Sequence, residues 1–250
     1  MVQLRELVEY VDGLLDSASF QDGCPNGLQV EGRAEVRRLV SGVSACQALL
    51  ERAGELEADA LLVHHGYFWR GESPVITGVK RARIARLLHS GISLLAWHLP
   101  LDAHPELGNN ARLARVLDLR PQGRFGGEPP LGMVGVPDAP VSAPRFAQHI
   151  ASRLGREPLQ ICAGPERIAR VAWCSGAAHG YLEEAAGMGV DAYITGEVSE
   201  PAVHVARECG IHLFAAGHHA TERYGVEALG GHLARRFGLE HEFVDIDNPV

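Results

Sequence analysis

Apolar residues at Leu4, Leu7, Val8, Val11 and Leu15 recur at the three-and-four spacing of one helical face, so the chain is predicted to open with a helix over 4–15. The pattern then changes to short apolar runs bounded by glycine and alternating with amphipathic stretches. Residues 37–43 read as a strand, 45–56 as a helix, 60–63 as a short buried strand, 79–89 as a helix and 92–97 as another strand. Asn109 or Asn110 is placed to cap the helix ARLARVLDL that follows. The same alternation resumes with LGMVGV as a strand, 143–154 as a helix, PLQICA and IARVAWCSG as strands, and 181–188 as a helix. DAYITG, a helix from Pro201 to Cys209, HLFAAG, the long helix HHATERYGVEALGGHLARRF and the alternating EHEFVDID complete the chain. Such alternation predicts an α/β fold whose sheets are mixed or largely parallel and flanked by helices.

Between Pro121 and Pro130 the run PQGRFGGEPP is dense in residues that break secondary structure, which sets an expected boundary near residue 125. Composition narrows the class. The 46% hydrophobic and 22% charged content is that of an ordinary globular protein able to bury a core. The first residues mix charge into the apolar pattern, unlike a signal peptide, and no segment approaches the roughly 18 apolar residues of a membrane span, so a cytoplasmic protein without a membrane partner is expected. A net charge of -8 with no long basic run argues against a general nucleic-acid surface. The five cysteines (Cys24, Cys46, Cys162, Cys174, Cys209) form no CxxC pair and sit among mostly apolar neighbours, which favours buried free thiols over disulfides or thiolate zinc.

The 13 histidines change the picture, because many of them fall in three clusters that each follow a predicted strand. His64 and His65 end the run ALLVHH, at the carboxyl edge where open α/β sheets gather ligands. Adjacent strand residues point to opposite faces, so both serve one site only if the strand stops there and the chain turns, as Gly66 permits. His98 and Asp102 follow LLAW, with Pro100 predicted to keep the chain between them extended. His218 and Glu222 stand four apart at the start of the long helix and so share a face, while His219 falls off it. His104 is assigned a structural or exposed place. Each cluster has a plain alternative: a satisfied core histidine, a turn-initiating aspartate, a glutamate stabilised by the helix dipole. Together they offer more nitrogen and oxygen ligands than one tetrahedral ion uses, which points to a pair of metal ions and hydrolytic chemistry.

HHGYFW, HLPLDAH, the TGE of TGEVSE and GHHATE, in this order and with NGLQV near the start, resemble the NIF3-like family, also called GTP cyclohydrolase 1 type 2 homologues, in its short bacterial form. The resemblance covers nearly the whole chain. It implies two α/β domains, 1–125 plus about 212–250 bearing the metal and about 126–211 forming the second, assembled as a homohexamer ring. It implies a dinuclear centre with His64, His65, Asp102, His218 and Glu222 as metal ligands, and it places His98 and Glu197 as polar residues of the cleft, candidates for general acid/base work or for orienting the ligands. The expected cofactors are two divalent metal ions per subunit; zinc, iron, manganese, cobalt and nickel all suit mixed histidine and carboxylate ligation. The expected partner is a small-molecule substrate, a nucleotide or related cyclic amide. A non-catalytic metal store, delivery factor or scaffold is the rival class. Arg70 and the Lys80, Arg81 and Arg83 group could supply countercharge, and Phe68 or Trp69 a stacking face, but a solvated basic helix and core aromatics are the favoured readings.

Overall fold

The computed structural model describes residues 1–250 and separates the chain into two compact units, 1–107 with 225–247, and 108–224 with 248–250. The first unit runs β1 (Val2–Gln3), α1 (Leu4–Leu15), β2 (Gly27–Val30), β3 (Glu35–Val36), β4 (Arg38–Ser44), α2 (Gln47–Glu55), β5 (Ala60–His65), α3 (Gly78–Ser90), β6 (Ser93–Ala96) and α4 (Leu99–Ala103). The second holds α5 (Asn109–Val116), β7 (Leu119–Phe125), β8 (Gly132–Pro137), α6 (Ala143–Leu154), β9 (Leu159–Ile161), β10 (Val171–Cys174), α7 (Leu182–Gly187), β11 (Ala192–Thr195), α8 (Glu200–Cys209) and β12 (His212–Ala215). Helix α9 (His218–Phe237) starts in the second unit and ends in the first, where β13 (Glu240–Phe243) follows.

The first unit is built on a sheet of order β13-β4-β5-β6-β2, parallel except for β2, which runs antiparallel to β6. Its central strands are apolar on both faces because both are covered. Leu39, Val43, Ala60, Leu62 and Leu95 pack with α1 and with Val226, Leu229 and Leu233 of α9, while Val40, Leu61, Val63 and Leu94 pack with α2 and α3. Ser41 is one of the buried polar residues of this sheet, with His64 and Ser93, and its Oγ lies 2.7 Å from Nε2 of His241 on β13. The second unit holds a six-stranded mixed sheet, β7-β8-β10-β11-β12-β9, with β10, β11 and β12 parallel and the outer pairings antiparallel. Trp173, Ile194 and Phe214 face α5 and α6; Ala172, Tyr193 and Leu213 face α7 and α8. No helix is long and apolar enough to cross a membrane.

Several local expectations differ from what forms. PQGRF, expected to break structure at a boundary near 125, is the body of β7, and the chain passes into the second unit at Gly108 instead. Pro121 and the glycines are tolerated because β7 is an edge strand with a register shift between Pro121 and Gly123. GHHATE, expected with the first unit, lies in the second, since 218–224 pack there and only 225–247 return. Pro100 does not extend the chain: it occupies the first turn of α4, where a missing N–H costs nothing. Asn109 and Asn110 are the first residues of α5 rather than its cap, which is Gly108, and Asn110 Oδ1 instead accepts the Ser175 N–H at 2.9 Å. Helix α9 runs through Gly230 and Gly231, where a Cβ on Gly230 would meet His241 Nε2 at 2.1 Å. Of the cysteines, all five are free, but Cys162 and Cys209 are exposed and only Cys24 and Cys174 are buried.

Candidate metal-binding residues

In the first unit β5 does not stop before its histidines; it carries both of them, with Ser44 paired opposite His65. Even so the His64 and His65 rings lie 4.6 Å apart between centroids, and His98, at the entrance to α4, closes a trio at 5.0 and 5.6 Å. One ring nitrogen from each of the three lies within 4.8 Å of the other two. Gly66 makes the turn after the pair possible by absence of a side chain: a Cβ there would sit 2.1 Å from Gln29 Oε1, which itself accepts the Tyr67 N–H at 2.7 Å.

Each of these rings is held through Nδ1. His64 Nδ1 is 3.0 Å from the Trp97 carbonyl, His65 Nδ1 is 3.0 Å from Ser44 Oγ, and His98 Nδ1 is 2.8 Å from Asp22 Oδ1. A carbonyl and a carboxylate only accept, so His64 and His98 donate from Nδ1, and the lone pair of each neutral ring resides on Nε2. This is how metal-ligating histidines are typically oriented. The buried His64 Nε2 also faces Asp102 Oδ1 at 3.5 Å. The donor chemistry of imidazole and carboxylate side by side suits a divalent cation.

In the second unit His218 begins α9 and Glu222 lies one turn on. His218 Nε2 is 3.0 Å from Glu222 Oε2, and Nδ1 is 2.6 Å from Glu197 Oε1 on the loop after β11. Burial alone would lower the pKa of this ring, but the hydrogen bonds and charges of Glu222 and Glu197 outweigh it and raise the value to about 9. Both nitrogens therefore carry protons at neutral pH, and the proton facing Glu222 occupies a position that a metal ion could take. The Glu197 loop is fixed by the N–H groups of Gly196 and Glu197, which both donate to the Gly176 carbonyl at 2.9 and 3.0 Å. Both sets of residues could hold metal.

The whole chain also matches a known family model. Residues 2–249 fit the model described as Duf34/NIF3 (NGG1p interacting factor 3). A Pseudomonas aeruginosa protein named GTP cyclohydrolase 1 type 2 homolog is 56% identical over 251 residues, covering 100% of this chain and 99% of its own length. An Escherichia coli K12 protein of the same name is 52% identical, with 98% of each chain covered. This chain belongs to the DUF34/NIF3 family. Among solved structures, this DUF34/NIF3 protein is similar to protein ybgI, described as of unknown function, at TM-score 0.97 and 51% identity over 100% of both chains. It is likewise similar to TTHA1606 from Thermus thermophilus, at TM-score 0.90 and 37% identity over 100% of both.

For this DUF34/NIF3 chain the sequence reading overlooked the loop 22–26. Asp22 Oδ1 accepts from His98 Nδ1 and from the Gly23 N–H at 2.6 Å, while Oδ2 accepts from the Leu99 N–H at 2.9 Å and the Asn26 amide at 3.0 Å. Burial pushes this carboxyl up, but the hydrogen bonds from His98, Asn26 and the Leu99 N–H bring it down to about 2. The available signal was the turn-forming run DGCPNG directly before β2. A carboxylate with a depressed value contributes stability that is present above about pH 4 and lost as pH falls toward 2. Thermal denaturation of metal-free Asp22→Asn across that window is therefore expected to show a shallower acid limb than wild type; parallel limbs would contradict the hydrogen-bonding scheme.

The basic and aromatic residues near HHGYFW are largely occupied. Arg70 donates to the Asp22 carbonyl at 3.2 Å, and Lys80 pairs with Glu72 at 3.2 Å and lies over the Phe68 ring at 5.3 Å. Trp69 stands edge-on to His98, 4.9 Å between centroids, with its Nε1 donating to the Gly66 carbonyl.

Proposed function

We propose that this protein is a divalent-metal-dependent hydrolase acting on a nucleotide or related cyclic amide, with His64, His65, Asp102, His218 and Glu222 as the ligands of a dinuclear centre. The observation that carries the reading is the orientation of the imidazoles: His64 and His98 present Nε2 lone pairs because acceptors occupy Nδ1, and His218 Nε2 stands 3.0 Å from Glu222 Oε2. The names of the relatives, GTP cyclohydrolase 1 type 2 homolog, support the substrate class. Two ions per subunit and a homohexamer ring follow from the same family resemblance.

When bound, divalent ions supply Lewis acidity and a water whose pKa lies near neutrality. The chain's own groups do the rest. Asp102 and Glu222 would each offer two carboxylate oxygens to the ions, where a neutral imidazole offers one nitrogen. Glu197 holds His218 through Nδ1 and orients it as a ligand. His98 is the group we assign to proton transfer, because its Nε2 lies with the His64 and His65 rings while Nδ1 is anchored on a carboxylate. For a guanine nucleotide, hydrolysis adds one water across a C8–N bond of the imidazole ring and opens it. The water oxygen becomes the carbonyl oxygen on C8, the C8–N9 bond breaks, and the two water protons end on N7 and N9; we assign their transfer to His98.

Metal analysis of protein purified without added metal is expected to find about two divalent ions per chain. A screen of purine nucleotides and cyclic amides with that protein is then expected to yield ring-opened product for one class. One tightly held zinc per chain would overturn the dinuclear assignment. Full metal loading with no turnover across the screen would favour the storage, delivery or scaffold class.

A further inference from the structure

Among the partners that hold the three first-unit imidazoles, Asp22 differs in two ways. It is the charged one, where His64 and His65 lean on a carbonyl and a hydroxyl. It also grips more than a ring. Its Oδ2 accepts the Leu99 N–H, the first N–H of α4, and Asp102 sits three residues further along that one-turn helix. Asn26, bonded to the other side of Asp22, adds a third hook by accepting the His98 N–H on Oδ1 at 2.8 Å. Its four bonds satisfy the carboxylate of Asp22, whose side chain is 3% exposed. The loop is itself pinned, since the Arg70 N–H donates to the Gly23 carbonyl at 2.6 Å.

We propose that Asp22 is a positioning residue that fixes both the tautomer of His98 and the entry of α4, so that one carboxylate sets the direction of the His98 lone pair and the place of Asp102. This rests on the reading of His98 and Asp102 as working groups of the site, and it names what holds them. The physical logic is that of a carboxylate behind a catalytic imidazole: an ionised acceptor on Nδ1 forces the proton there and leaves Nε2 for chemistry. The additional bond to Leu99 couples that choice to the backbone. An amide at position 22 keeps the shape but offers one oxygen and one NH2 in place of two acceptors. Whichever way it turns, it sets a donor against one pair of the four donors now bound: His98 and Gly23, or Leu99 and Asn26.

The test uses the full chain labelled with 15N at histidine and examined metal-free. In wild type the His98 ring is expected to carry its proton on Nδ1 with Nε2 unprotonated; a proton on Nε2 would overturn the proposal without any variant. In Asp22→Asn the two tautomers are expected to mix, and zinc affinity measured by competition with a chelating dye is expected to weaken about 10-fold or more, the range seen for lost outer partners of metal ligands. Asp16→Asn, which alters another carboxylate of the same cavity of about 600 Å³, is expected to change neither. An unchanged tautomer in Asp22→Asn would overturn the assignment, as would equal zinc affinity in Asp22→Asn and Asp16→Asn when Asp102→Ala does lose affinity. If the tautomer shifts as expected but zinc affinity is indifferent to Asp102→Ala as well as to Asp22→Asn, the metal-centre reading fails while the positioning of His98 stands.

Discussion

Replacing Asp102 with alanine is expected to remove the response of the protein's thermal stability to chelator. In wild type, metal bound to the folded state at 100 times its dissociation constant contributes about 2.7 kcal/mol, which a chelator withdraws. Asp102 faces His64 Nε2 at 3.5 Å, and both are buried. Asp102→Ala removes one proposed ligand. The variant's affinity for zinc is therefore expected to fall by about 100-fold or more, beyond the usual loss from an outer partner, and its melting to become insensitive to chelator. Differential scanning fluorimetry with and without EDTA checks both halves. A variant that still melts lower on chelation by the wild-type margin would take Asp102 out of the ligand set.

Candidate ligands are legible in the sequence where one residue type does one job. Two histidines at a strand end and a histidine with a glutamate one helical turn on are visible because ligand identity and spacing are both local properties. The elements carrying them were equally legible, since buried strands such as β4 and β5 and the stripe of α1 follow directly from apolar periodicity. What could not be read were the supports. Asp22 reaches His98 across 76 positions, Ser44 reaches His65 through strand pairing, and His64 is held by a backbone carbonyl that has no sequence signature at all. The errors have the same origin. Pro121 in an edge strand and Pro100 in a first helical turn are both cases where the missing N–H was not needed, and local propensity says nothing of which N–H groups the tertiary structure uses. The division of the chain failed likewise: proline and glycine density marked 121–130, whereas the units part at Gly108, a position that only packing defines.

The second large effect is expected at a glycine. Gly176 follows β10 with φ of +66°, and a Cβ built on it would lie 2.2 Å from Glu222 Oε1 and 3.3 Å from His218 Nε2. Its carbonyl accepts from the N–H groups of Gly196 and Glu197 and from Thr195 Oγ1, and its N–H donates to Thr221 Oγ1. The residue is thus locked from both sides, and alanine cannot relieve the clash by moving. Glu222 is helical and buried, so its carboxylate has to leave His218 instead. The left-handed conformation adds a cost of about 1–2 kcal/mol for any residue with a Cβ. Gly176→Ala is accordingly expected to destabilise the protein by several kcal/mol in chemical denaturation and to weaken metal binding together with it. Gly187→Ala provides the contrast: it lies in α7 with nothing within 4 Å of its Cβ, and there alanine is expected to stabilise by about 0.5–1 kcal/mol. Two identical substitutions with opposite signs would attribute the loss at Gly176 to the Glu222 carboxylate and the backbone it rests on. A loss at Gly176 no larger than the cost of its left-handed conformation would mean that Glu222 is free to move, and would remove the rigidity on which its assignment as a ligand depends.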